Sequence, residues 1–388
     1  MNKIKKIFIV FPIIVTAFFL TSVRFKNSND NPPQSDSTTV RISIVGDLMC
    51  HTPEMEFAKA GRDSFDFRPM FDSVKKYFSA SDLTFGNLET TISGKEKKYS
   101  GYPLFNSPDA FISAIKDAGF NVLFTANNHT LDRGTQGILR TLNKIHENGM
   151  SSIGTYKSGQ DRDSIRIIDV KGIKIAVLAY TYGLNGNYLP PDKKFMVSII
   201  DTSLIRKNIE SARRKSADII MVYFHFGEEY RRQPNSYQKE IAAYAKKCGA
   251  DIIVGSHPHV IQPIEFFPIA ADKNSEGLIA YSLGNFISNQ RWRYSDAGVI
   301  LNIEITKSES TGETRISNVT FVPTWVFKGK VGEKNEFIVL PSDTSKNQIP
   351  AYVSKSDRTK LIQSCNDVRE TFRAIANRFP KVLNESKK

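Results

Sequence analysis

With 388 residues, 40% apolar and 24% charged, this chain has the balance and size of one large globular domain or two medium ones. That excludes a disordered, collagen-like or multi-span membrane protein. Its 53 Lys+Arg against 40 Asp+Glu leave a net charge of +13. The basic residues are scattered without a zinc-finger or RRM signature, so the charge points to weak attraction for acidic polymers or anionic headgroups and to no nucleic-acid partner.

In chain order, Lys3, Lys5 and Lys6 precede an apolar run from Ile7 to Leu20, the pattern of a secretory signal. No A-x-A site follows, and no cysteine ends the run as a lipoprotein would require. Extended to Val23 it reaches about 17 residues, the lower edge for spanning the hydrocarbon core. Residues 1–25 are therefore expected to direct export, as a signal peptide or as a membrane anchor, with the rest on the extracytoplasmic side. Polar residues 26–39 read as a linker, 40–330 as the main domain and 331–388 as a C-terminal extension with a helix.

From Val40 onward short apolar runs alternate with helical patterns. RISIV (41–45), LTFGNLE (83–89), NVLFTA (121–126), IKIAVLAYTY (173–182), DIIMVYF (218–224) and DIIVG (251–255) read as strands. Between them helices are predicted over Arg68–Phe78, after Ser107-Pro108, over Thr135–Asn148, Asp201–Lys215 and Tyr237–Cys248. Continuous apolar strands separated by helices predict a parallel sheet covered on both faces. Beyond Leu278 the runs LIAYSLGNF, GVILNIEI and RISNVTFVPTWVF come close together and predict an antiparallel meander. Leu361, Cys365, Val368, Phe372, Ile375 and Phe379 then mark one face of a helix that should dock on the domain.

Polar clusters stand at the ends of nearly all these strands: Asp47; Asn87 and Glu89; Asn127, Asn128 and His129, with Asp132 after them; His225, Glu228 and Glu229; His257 and His259; Asn285. Ligand sites in α/β sheets form at carboxyl ends of strands, so these side chains can meet in one crevice. Each alone has a blander reading: Asp47 as a turn or cap, Asn128-His129 as a turn, His225 in an ion pair with Glu228 and Glu229, His257 and His259 in structural hydrogen bonds. Together, carboxylates, an amide oxygen and neutral imidazoles suit a divalent ion such as Mn, Zn or Fe. The set is too large for one tetrahedral site and about right for two adjacent ions, which would generate a nucleophile from water and clamp an anionic transition state. His146 is mid-helix and receives no role. Cys50, Cys248 and Cys365 are too sparse for a disulfide framework or a metal knuckle.

In order, VGDLM (45–49), GNLET (86–90), ANNHTLDRG (126–134), HFGEEY (225–230), GADIIVGSHPHVIQPIE (249–265) and YSLGNF (281–286) resemble the capsule-synthesis CapA family of poly-γ-glutamate synthesis proteins, itself similar to the calcineurin-type metallophosphoesterases. The resemblance covers about residues 40–290 and implies a four-layer α/β/β/α sandwich. It implies Asp47, Asn128, His225, His257 and His259 as metal ligands, Glu89 as the bridging carboxylate and His129 as the acid that protonates a leaving group. His225 and His257 would serve one ion, and His259 the other. Two departures stand out. Met49 occupies the imidazole position of the Asp-x-His motif, which makes His51 a possible substitute, and Glu89 stands where the wider superfamily has Asp. Glu229, with Tyr230, belongs to the CapA form of the histidine motif and is a second candidate catalytic residue. The function implied is an exported, metal-dependent protein that hydrolyses or transfers at an anionic cell-surface polymer, with membrane-bound capsule-synthesis subunits as partners. A non-catalytic polymer-binding or export subunit and a general exported phosphoesterase are the alternatives.

Overall fold

The structure, a computed structural model, describes residues 37–269, 272–343 and 348–379. The apolar run expected to direct export and residues 26–36 of the expected linker lie outside them. Among the described residues, no helix is long and apolar enough to cross a membrane.

Strand and helix alternate through β1 (Ser37–Leu48), α1 (Thr52–Phe57), α2 (Asp72–Phe78), β2 (Leu83–Leu88), α3 (Asp109–Ala118), β3 (Val122–Phe124), α4 (Gly134–Glu147) and β4 (Ser151–Ile153). Next come α5 (Gly159–Asp163), β5 (Arg166–Val170), β6 (Ile173–Thr181), α6 (Thr202–Arg214), β7 (Ile219–His225), α7 (Ser236–Cys248) and β8 (Ile252–Ser256). The chain continues with β9 (Ile261–Ile269), β10 (Asp272–Leu283), β11 (Asn285–Ile287), β12 (Ala297–Ser308), β13 (Thr314–Val331) and β14 (Lys334–Pro341), then α8 (Lys355–Thr371) and α9 (Arg373–Arg378).

Among the described residues these strands form two sheets. One is eight-stranded in the order β14-β13-β12-β1-β2-β3-β4, with β11 beside β1; the other is six-stranded, β5-β6-β7-β8-β10-β9. Period-two alternation sorts their side chains into layers. Ile42, Ile44, Val122 and Phe124 meet Ile175, Val177, Met221 and Tyr223 between the sheets. On the outer face of the first sheet, Val45, Leu48 and Leu123 pack with Val74 of α2 and Phe111, Ile112 and Ile115 of α3. On the outer face of the second, Ile220, Val222 and Phe224 pack under Ile205 and Ile209 of α6 and Ala242 and Ala245 of α7. The result is an α/β/β/α sandwich. Rings of Phe124 and Tyr223 stack 4.1 Å apart across the two sheets.

Parallel pairing runs β1-β2-β3-β4 and β6-β7-β8, each crossover carrying at least one helix or a loop over the outer face, as expected. The predicted meander is real for β12 and β13, and β14, which was not expected, extends it, but LIAYSLGNF does not join it. Its strand, β10, pairs parallel with β8 and antiparallel with β9, in the other sheet. Leu278, Ile279, Ala280 and Tyr281 are all buried, so this run needs cover on both faces and takes an interior place in the sheet. The chain leaves that sheet at Gly284, whose positive φ of 68° suits glycine, and β11 then pairs with β1 beside Asp47.

Two boundaries also differ. β1 begins at Ser37, because Ser37, Thr38 and Thr39 continue the ladder against Ser308, Lys307 and Thr306. The division expected at 330/331 falls at the end of β13, where β14 turns back to complete the sheet. The C-terminal stripe forms two helices, α8 and α9, separated at Phe372. Leu361, Cys365, Val368, Phe372 and Ile375 are buried, and Phe379 meets Phe266 of β9 at 5.8 Å, so the stripe docks as expected.

Candidate metal centre

The carboxyl ends of β1, β2, β3, β7 and β8 converge at one end of the seam between the sheets. The eight-stranded sheet brings oxygen donors: Asp47 near the end of β1, Glu89 just past β2, and Asn128 in the loop after β3. Both carboxylates are fully buried. Asn87 orders them, its Nδ2 donating to Asp47 Oδ1 at 2.8 Å and Glu89 Oε2 at 3.2 Å. Asn87 is held in turn by Asn127, whose Nδ2 donates to Asn87 Oδ1 at 3.1 Å and to the Leu88 carbonyl at 2.8 Å.

The six-stranded sheet brings imidazoles: His225 ends β7, and His257 and His259 follow β8. His257 and His259 take φ values of 99° and 55°, a left-handed backbone that turns both rings inward and that non-glycine residues adopt at a cost. His225 Nε2 lies 2.8 Å from Asn128 Oδ1. The Asn128 amide can only face this way, because its Nδ2 donates to Asn185 Oδ1 at 3.0 Å. His259 Nδ1 lies 3.1 Å from Asp47 Oδ2 and 3.0 Å from Asn285 Oδ1, which leaves its Nε2 turned towards Glu89. Tyr182 covers His257, with ring centroids 4.7 Å apart.

Protonation states follow from burial. Desolvation, then the other histidines, push His225 well below the ordinary imidazole value; desolvation, then His259, push His257 down to about 3. Both rings are therefore neutral, the form that ligates metal. Desolvation and the Asp47 charge push Glu89 well above the usual carboxylate range. Burial also acts to raise Asp47, but hydrogen bonds from His259 and Asn87 outweigh it and hold Asp47 below its ordinary value.

Donor atoms of Asp47, Glu89 and His259 lie within 4.8 Å of one another, as do those of Glu89, His225 and His257, and those of Glu229, His257 and His259. Glu89 belongs to the first two groups. Its Oε1 is buried without a hydrogen-bond partner, 3.6 Å from His225 Nε2 and 3.7 Å from His259 Nε2. His257 Nδ1 also lacks one. An orphaned carboxylate oxygen between two imidazoles is costly in a metal-free fold and suits a divalent cation at that point. The residues present therefore fit the ion that the donor chemistry implies.

Of the residues singled out in the sequence, Asp47, Glu89, Asn128, His225, His257 and His259 come together here. Glu229 stands at the exposed rim. His129 lies beside the centre, its Nδ1 2.8 Å from Asp132 Oδ2 and its ring edge-on to Phe105 at 4.7 Å. Asp132 Oδ2 also accepts the Phe105 N–H at 2.7 Å, so the carboxylate is fixed from both sides and holds the proton on Nδ1. His51 enters none of the three groups. It caps α1, its Nδ1 accepting the Asn289 N–H at 3.3 Å with Glu54 Oε1 at 3.5 Å. His146 is exposed on α4, as its position suggested.

Sequence reasoning left Asn87, Asp132 and Asn285 without roles. Asn87 and Asn285 were visible as strand-end amides, but what they orient depends on pairings across the fold. A cavity of about 360 Å³ opens onto the centre, lined by Met49, Tyr102, His129, Glu229, Tyr230 and Trp292 among others. A larger one, about 800 Å³, lies against the loop 183–189 with Arg162, Lys194 and Lys207 on its wall and no histidine, so chemistry belongs to the smaller.

Comparison with known proteins follows the same motifs. The family described as bacterial capsule synthesis protein PGA_cap matches residues 41–290. The PGA biosynthesis protein CapA of Bacillus subtilis (strain 168) is 29% identical over 357 residues, covering 88% of each chain. The capsule biosynthesis protein CapA of Bacillus anthracis is 29% identical over 273 residues, 68% of this chain and 64% of that one. Among solved structures, Haemophilus influenzae NAD nucleotidase (NadN) aligns at a TM-score of 0.46 and 13% identity, over 85% of this chain and 63% of that chain.

Proposed function

This chain belongs to the bacterial capsule synthesis protein family, and from that premise we propose that it is a metal-dependent enzyme of capsule assembly that hydrolyses, or transfers at, an anionic polymer of poly-γ-glutamate type. The observation that carries this reading is the orphaned Glu89 oxygen flanked by the His225 and His259 imidazoles. One or two ions of Mn, Zn or Fe type would be held by Asp47, Glu89, Asn128, His225, His257 and His259. When bound, such an ion polarises the scissile group and makes water nucleophilic at neutral pH.

The chain's own residues do the rest. His129, with its Nδ1 proton held by Asp132, leaves Nε2 free to take the proton released by the attacking water and pass it to the leaving group. Phe105 against that ring keeps water from one side. Exposed Tyr102, Tyr230 and Trp292 wall the approach. A polymer chain finds aromatic contact surface there. The relatives' names place them in polymer and capsule biosynthesis. With the basic, apolar N-terminal run, they support action on the extracytoplasmic side, anchored or secreted, beside membrane-bound subunits of the same assembly.

The test is to incubate metal-reconstituted protein with poly-γ-glutamate and with a generic phosphoester, following polymer length and phosphate release. Metal-dependent change in the polymer, lost on chelation and in His129→Asn, is expected. Binding without any change would make the protein a non-catalytic polymer-binding subunit. Preferential phosphate release would make it a general phosphoesterase.

A further inference from the structure

The segment that leaves β6 serves two places at once. On one side it touches the metal centre. The Tyr182 N–H donates to the His225 carbonyl at 2.9 Å, the Tyr182 ring lies 4.7 Å from that of His257, and Asn185 Oδ1 accepts from Asn128 Nδ2 at 3.0 Å. On the other side, Gly183, Leu184, Gly186 and Leu189 line the cavity of about 800 Å³. The segment is preformed. Asn185 and Gly186 take φ values of 52° and 75°, and the Asn187 N–H donates to the Leu184 carbonyl at 2.9 Å. That is a turn of type I′ form, for which Asn-Gly is a favoured pair. A ligand seated in this cavity therefore lies against residues interleaved with those that touch the metal centre.

The cavity wall carries mainly one sign of charge. Arg162, Lys194 and Lys207 line it with a single acid among the described residues, Asp201. Asp201 is engaged, since its Oδ1 accepts the Leu204 N–H at 2.8 Å and caps α6. Arg162 pairs with its neighbour Asp163 at 3.0 Å. Lys194 and Lys207 are exposed and form no ion pair among the described residues. Leu184, Leu189 and Tyr188, the last 89% exposed, give the wall apolar surface. Two unpaired ammonium groups beside apolar side chains match a chain that alternates carboxylates with short methylene runs. A phosphate polymer would call for a free guanidinium fork, and the one arginine here is taken up by Asp163.

We infer that this cavity is a subsite that binds a stretch of a polycarboxylate chain of poly-γ-glutamate type, next to the metal centre, through Lys194 and Lys207. The inference rests on the polymer reading above and adds where the chain is held. This hold needs no metal, so it survives chelation. Because it joins exposed charges, it weakens as salt rises.

The experiment is fluorescence anisotropy of labelled poly-γ-glutamate on the full chain stripped of metal by chelator, at low and at physiological salt. Wild type should bind, and more weakly at the higher salt. Lys194→Gln combined with Lys207→Gln should bind about 5- to 30-fold more weakly, the loss of two exposed ion pairs. Lys194→Arg combined with Lys207→Arg should retain binding. Lys246→Gln combined with Lys247→Gln removes the same charge beside a different cavity and should change binding by less than about twofold. Equal losses in the two Gln pairs would mean attraction by net charge alone and overturn the subsite. So would an absence of wild-type binding, or binding of single-stranded DNA as tight as that of the polymer. The catalytic reading fails separately. If metal-reconstituted wild type leaves polymer length unchanged while the chelated proteins bind as expected, the subsite stands and the chemistry falls. If the polymer is cut but the Lys194 and Lys207 pair of Gln substitutions binds like wild type, the chemistry stands and the subsite falls.

Discussion

The two sheets bring opposite chemistry to their shared seam. The eight-stranded sheet contributes Asp47, Glu89 and Asn128, oxygen donors ordered by a chain of amides from Asn127 through Asn87. The six-stranded sheet contributes His225, His257 and His259, nitrogen donors ordered by left-handed backbone and by the Tyr182 ring. Neither half holds a complete set. The oxygen half concentrates negative charge that burial resists, whereas His225 and His257 of the nitrogen half are kept neutral by that same burial. A cation placed between them relieves the first without disturbing the second.

The largest expected effect comes from the residue both positions share. Glu89→Gln should abolish metal binding by elemental analysis, yet raise the stability of the metal-free protein by about 1–3 kcal/mol in chemical denaturation at alkaline pH, since it replaces a buried carboxyl group whose ionisation desolvation opposes by a neutral amide. A metal-free variant less stable than metal-free wild type would show that Glu89 is structurally satisfied.

Acid titration of the chelated protein separates the halves next. His225 and His257 are pushed down in the fold, so the unfolded chain takes up protons below about 6.5 that the folded chain refuses. Their contribution to stability is complete above that value and is lost as pH falls towards about 3. Glu89 acts in the opposite sense. Pushed up, it keeps a proton that the unfolded chain releases above the usual carboxylate value, so its contribution is lost as pH rises through its folded pKa. Melting temperatures should therefore show a steeper acid loss in Glu89→Gln than in wild type; parallel curves would contradict the opposed shifts.

A smaller set of variants should leave metal content alone. His129→Asn should lower turnover by about 10²–10⁴-fold, and Asp132→Asn, which only releases the ring, by less. Loss of metal in either would draw the His129 loop into the oxygen half. Smallest of all, His51→Ala should cost about 0.5–1.5 kcal/mol, one backbone hydrogen bond, with metal binding intact by titration calorimetry.

The helices, most strands and the convergence of strand ends were legible because each rests on local pattern: apolar alternation, Gly149 and Gly249 after helices, polar residues after buried runs. What was not legible is which strands pair. Nothing within LIAYSLGNF separates a meander strand from one between β8 and β9, because partner choice is decided by cover available from both layers. The place of His51 had a readable signal, since Thr52-Pro53-Glu54 is a helix start with proline and acid in the first turn. The part played by Asp132 had none, because it depends on where the Phe105 backbone passes.

The seating of β1 also governs the order in which the molecule can assemble. Arg41 and Glu304 face each other across β1 and β12 although 263 positions separate them. A chain emerging N-terminus first therefore presents the Asp47 strand at the outset with one flank open, and closes that flank only after β12 has been made. Closure of so long a loop is slow, and an open apolar edge invites association with other chains meanwhile. Asp47 acquires its Asn285 and His259 neighbours only at that late step, so uptake of metal would report that folding has finished.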